Sequence, residues 1–167
     1  GFNNITGDAA ENLVAVVLEH AIMTDFCGIP LVSLRENSIT ELDLKCKGVG
    51  VPGAIVLSKL LPSAVALTSL NLAGNELCGL HQDGHGTYTT EGMTKLCEGL
   101  KGSAVTSLNL GRNDLTNYGQ DMSGLLKLVE VLPLTKIERL ECAPASSDCL
   151  CVSARWHTYS LTISHTA

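Results

Sequence analysis

The segment Leu67-Thr68-Ser69-Leu70-Asn71-Leu72-Ala73-Gly74-Asn75-Glu76-Leu77 returns almost unchanged as Val105-Thr106-Ser107-Leu108-Asn109-Leu110-Gly111-Arg112-Asn113-Asp114-Leu115. A third copy, Ile39-Thr40-Glu41-Leu42-Asp43-Leu44-Lys45-Cys46-Lys47-Gly48-Val49, precedes both. A unit of this size cannot bury its own apolar face, so repeated units must stack on one another. The chain is thereby confined to architectures in which like elements lie side by side.

Each copy opens with alternation. Leu42 and Leu44 point one way, as do Leu70 and Leu72, and Leu108 and Leu110. That period marks a strand with one buried face. Asn75 and Asn113 follow at a fixed offset, where an asparagine turns the chain and bonds backbone groups left between stacked units. Lys47 stands at that position in the first copy, so a looser turn is expected there. The period then becomes helical over Gly53 to Leu61, Gly92 to Leu100 and Met122 to Leu132, with Pro62 and Pro133 as stops. Strand, turn and helix in repetition predict an α/β solenoid: a short horseshoe arc with parallel strands on the concave face and helices on the convex face.

The copies start at 39, 67 and 105, so the intervals are 28 and 38 residues. The second unit thus carries about ten extra residues, and they lie in the insertion at 78–91.

The motif L-x-x-L-x-L-x-x-N-x-L over residues 29–141 resembles leucine-rich-repeat proteins of the ribonuclease-inhibitor-like type, and arrays similar to it occur in algae and protists. The stretch from Cys27 to Leu34 looks like the entry to such an array. The resemblance implies the fold and leaves the activity open.

Three regions follow. Residues 1–28 form an N-terminal helical cap, with Asp8 and Glu11 spaced as a capping box and Leu13, Val16, Val17 and Ala21 turned to the first repeat. Residues 29–142 are the repeats. Residues 143–167 are an irregular C-terminal cap or tail, in which Trp156 helps to bury the open end. The apolar run in the first helix lies between Glu11 and Glu19, far short of the about 18 residues a membrane span needs, so no transmembrane segment is expected. A start at Gly1 fits a processed product or a fragment of a longer protein.

Apolar residues make up 45% of the chain and aromatics only 4%, which predicts an aliphatic core. A net charge of −6 with no basic run argues against nucleic acid as a partner. The seven cysteines form no regular disulfide framework. Cys46, Cys78 and Cys97 sit where small apolar residues belong, so buried thiols in a reducing, intracellular and first of all cytoplasmic setting are expected.

No cofactor is called for, and no catalytic set converges. The outward positions of the strands give the candidate contacts Glu41, Asp43, Asn71, Asn109 and Arg139. The insertion adds Leu80, His81, Asp83, His85 and above all Tyr88 as an amphipathic anchor, on a loop that glycines let adapt. Arg112 and Tyr118, around the next turn, are expected beside it. These residues point to a non-catalytic protein–protein interaction module, or a small scaffold or accessory subunit of a larger assembly. Two alternatives stand beside it. One is a GTPase-activating regulator, by resemblance to some repeat proteins of this type, using Arg112 next to Asn113. The other is metal binding through His81, Asp83, His85 and Cys78, or through Cys149, Cys151, His157 and His165.

Overall fold

The computed structural model describes residues 5–81 and 85–142. The chain is α/β. Helix α1 (Gly7–Glu19) leads into a small antiparallel hairpin, β1 (Asp25–Phe26) and β2 (Ile29–Pro30), and a short helix α2 (Leu31–Arg35). Then strand and helix alternate: β3 (Glu41–Asp43), α3 (Gly50–Leu60), β4 (Ser69–Asn71), α4 (Glu91–Lys101), β5 (Ser107–Asn109), α5 (Ser123–Val131) and β6 (Arg139–Glu141). The last four strands form one parallel sheet in chain order. Its register sets Leu42, Leu70, Leu108 and Leu140 side by side. The alternation in the sequence is thus a buried row of leucines, with Leu44, Leu72 and Leu110 forming a second. Each buried leucine contributes about 1.5–3 kcal/mol, so the rows dominate cohesion between the strands.

The helices pack in the same order, α1 on α3, α3 on α4, and α4 on α5. Lying between two neighbours, α3 is apolar nearly all round, and Ala54 to Ser58 are all buried. The contact with α4 is backbone-close. A Cβ on Gly99 would meet the Ser58 carbonyl oxygen at 2.5 Å, so only glycine permits this approach.

The turns are joined by a ladder of two asparagines. Asn75 Oδ1 accepts from the backbone N–H groups of Lys47 (3.0 Å) and Val49 (3.2 Å), and its Nδ2 donates to Leu44 O (2.8 Å). One unit on, Asn113 Oδ1 accepts from Asn75 N (3.0 Å) and Leu77 N (3.3 Å), while its Nδ2 donates to Leu72 O (2.8 Å). Both side chains are buried. Each asparagine therefore serves the unit before its own. This corrects the expectation of a loose first turn: Asn75 holds the Lys47 turn, and Lys47 begins the ladder.

Two expectations for α1 also change. Thr6 caps the helix without a side-chain bond, and Glu11 takes no part in a capping box. Glu11 instead pairs with Lys95 of α4 at 2.9 Å, and the Lys95 ammonium holds its carboxyl below the ordinary range. Close by, the Glu91 carboxylate accepts from Gly7 N at the helix start (3.0 and 2.8 Å). The buried face is Ala10, Val14 and Val17, whereas Val16 and Ala21 are exposed and Leu13 is half-buried. Ala21 lies beyond the helix end, so helical spacing does not place it. Among the described residues no helix is long and apolar enough to cross a membrane.

Replacing Asn75 by Ala orphans the buried Val49 N–H and leaves Lys47 N and Leu44 O only their 3.2 Å bond to each other, and is expected to cost about 1–3 kcal/mol in urea unfolding. Lys47→Asn is expected to stay within about 0.5 kcal/mol of wild type, because no earlier turn awaits its carboxamide. Equal effects from the two substitutions would contradict the ladder.

Candidate binding surface

Residues between the buried leucines line the open face of the sheet. Glu41, Ser69, Ser107 and Arg139 stand in register in one row, and Asp43, Asn71, Asn109 and Glu141 in the next. The candidates Glu41, Asp43 and Arg139 are exposed, and Asn71 and Asn109 are partly so. The second row is held by its own backbone. Asp43 Oδ1 accepts from Lys45 N (3.0 Å), Asn71 Oδ1 from Ala73 N (3.1 Å) and Asn109 Oδ1 from Gly111 N (2.9 Å). Asn109 Nδ2 then donates to Glu141 Oε2 at 2.6 Å.

A depression of about 290 Å³ opens at the C-terminal ends of these strands. Asn71, Asn109, Ala73 and Gly111 line it, together with Lys45, Arg112 and Glu141. It exists because the third row is small in the middle and long at its β3 end. Lys45, Ala73 and Gly111 were readable as that row; their forming a hollow was not, since this depends on neighbouring strands. Arg112 sits at φ 57°, in the left-handed region, where the equivalent position of the preceding unit has Gly74 at φ 67°. A side chain there costs about 1 kcal/mol relative to glycine. Arg112 therefore belongs to the depression, while Asn113, its neighbour, is buried with its carboxamide bonded to backbone. Of that pair only Arg112 reaches solvent.

The insertion behaves differently from expectation. Leu80 is buried and bridges to Gly86 in antiparallel fashion, and His81 N donates to His85 O (2.8 Å). A Cβ at Gly86 would strike Gly79 O at 2.1 Å, so here glycine serves tight closure rather than adaptability. Tyr88, expected as a partner anchor, turns inward. Its hydroxyl donates to Leu115 O (3.0 Å) and accepts from Gly124 N (3.1 Å), pinning α5 to the insertion. Burial raises its phenol above the ordinary range. Leu80 and Tyr88 thus leave the contact surface, and excising 80–90 would remove core. His81 Nδ1 lies 2.6 Å from Glu76 Oε1, and Tyr118 donates to His81 O at 3.2 Å, so Tyr118 does lie beside the insertion. His85 is exposed, and Asp83 falls outside the described residues.

Among the described residues, no three His, Cys, Asp or Glu side chains are grouped to hold a metal ion. Cys149, Cys151, His157 and His165 lie outside them. Cys78 and Cys97 are buried thiols as expected, but Cys46 is exposed, because its turn position at φ 54° carries the side chain away from the core. Burial pushes the Cys78 thiol up to about 12 and that of Cys97 to about 11. Compared with protein-family models, curated proteins and solved structures, the chain matches none.

Two outcomes follow from the buried groups. Tyr88→Phe strands the Gly124 N–H and is expected to cost about 1–2 kcal/mol in urea unfolding. A loss below about 0.3 kcal/mol would mean the hydroxyl holds nothing. For the thiols, the unfolded chain ionises near the ordinary value of 9 while the folded chain keeps its protons to about 11 or above. Between those values the unfolded state binds fewer protons, so stability falls as pH rises, by at most about 1.4 kcal/mol per pH unit for each thiol. Denaturation midpoints that do not fall from pH 9 to 10.5, alongside a rapidly labelled Cys46, would show that Cys78 and Cys97 are not held protonated.

Proposed function

We propose that the repeated units form a short leucine-rich-repeat solenoid that works as a non-catalytic protein-interaction module, as a scaffold or accessory subunit of a larger assembly. The observation that supports this reading is the division of labour within each strand. Alternate residues are committed to the leucine rows, while the residues between them stand in polar rows that nothing in the described fold covers. Charges lie at both ends of those rows and short hydroxyls and carboxamides at their centre. Such a face is suited to reading a folded or extended partner over several strands. The serine–carboxylate contact Ser123 Oγ to Asp121 Oδ1, at 2.5 Å, comes with a bond from Ser123 N to the same oxygen and closes the turn that opens α5, a structural use that fits an interaction module.

A photo-crosslinking residue at Ser69 or Asn109, in an extract of the cells that make the protein, is expected to trap a discrete protein band. The same residue at Lys101, exposed at the end of α4, is expected not to. Identical products from both places, or none from the sheet face, would overturn the assignment.

A further inference from the structure

We propose that the depression between Lys45 and Arg112 receives a carboxylate, an Asp or Glu side chain presented by a protein partner. This rests on the open face being an interaction surface and names what that surface recognises. The lining sets two cations against one carboxylate, and most of the side-chain hydrogen-bonding capacity left in it is donor. The Asn71 and Asn109 oxygens already accept from Ala73 N and Gly111 N, and Glu141 Oε2 already accepts from Asn109. Asn71 Nδ2 has no acceptor among the described residues, and neither Lys45 nor Arg112 makes an ion pair among them. An ammonium, a guanidinium and a carboxamide NH₂ therefore face the hollow against a single carboxylate, Glu141, itself engaged by Asn109. The complementary ligand is one that only accepts, and a planar carboxylate matches the guanidinium fork.

Size and charge narrow the choice further. Ala73 and Gly111 leave the floor low enough for a side-chain head group to reach the strands. The Lys45 and Gly111 strands are two sheet spacings apart, about 10 Å, a gap both long cationic side chains can reach into. Arg112 takes the left-handed backbone position held by Cys46 and Gly74 in the earlier units, and of the three it alone brings a cation to the hollow. The net charge of −6 opposes an acidic partner only at long range, and at physiological salt screening confines that opposition to about 8 Å.

The test is an NMR titration of the full chain with an end-capped oligoglutamate peptide, with oligoglutamine and inorganic phosphate in parallel. Oligoglutamate is expected to give saturable shifts at the Ala73 and Gly111 amides and the Asn71 side-chain amide. Lys45→Gln and Arg112→Gly should each weaken it about tenfold. Arg112→Gly should also unfold at higher urea, since glycine suits that turn, so its weaker binding could not be blamed on misfolding. Equal shifts with oligoglutamine, tighter binding of phosphate, no saturable shift, or unchanged affinity in both variants would each overturn the proposal. If oligoglutamate fails while Ser69 and Asn109 still cross-link a partner, this inference falls alone. If cross-linking fails as well, the interaction reading falls with it.

Discussion

Two buried carboxamides hold the turns of this protein to one another. A turn between a buried strand and a buried helix has backbone N–H and C=O groups that neither element satisfies, and here most of them are buried. Asn113 meets those groups in the turn before it, and Asn75 does the same one unit earlier. Each carboxamide supplies acceptor and donor together, which no apolar residue of similar size can do. The leucine rows provide most of the cohesion, but the rows alone do not fix how one unit seats on the next. The asparagines do, because a hydrogen bond of about 3 Å tolerates little displacement.

Once the units are seated in this way, the open face of the sheet is determined. Every second strand residue is turned away from the core, and parallel pairing in register lines these residues up across four strands. The depression near Lys45 and Arg112 is a product of that alignment. Its floor comes from two strands, one wall from a third, and Arg112 from the following turn. The insertion after Leu77, by contrast, is drawn into the structure. Leu80 packs into the core, and Tyr88 reaches the start of α5, so the longest interruption of the repeat acts partly as a brace between units.

Much of this was legible because it is local. The period-two leucines marked the strands, and β3, β4 and β5 lie where alternation put them. The switch to helical spacing marked α3, α4 and α5, whose ends fall within a few residues of the expected positions. What was misread involves partners distant in sequence. Glu11 has the spacing of a capping box, but Lys95 offers it an ion pair from another helix. Tyr88 has the look of an exposed anchor, yet the Gly124 N–H and the Leu115 carbonyl draw its hydroxyl inward. Lys47 looks like a defect in its own turn, although the side chain that matters for that turn belongs to Asn75.

The amino-acid sequence by itself determined the repeating unit, the order of its elements and which face of each strand is apolar. Those properties follow from side-chain periodicity and short-range backbone preference, and both act within a few residues. The tertiary structure decided which polar groups remain for a partner. An asparagine, a tyrosine or a glutamate has the same capacity for hydrogen bonding wherever it stands. Whether that capacity is already satisfied depends on backbone groups that stacking brings within 3 Å from nearly thirty to more than eighty residues away in the chain.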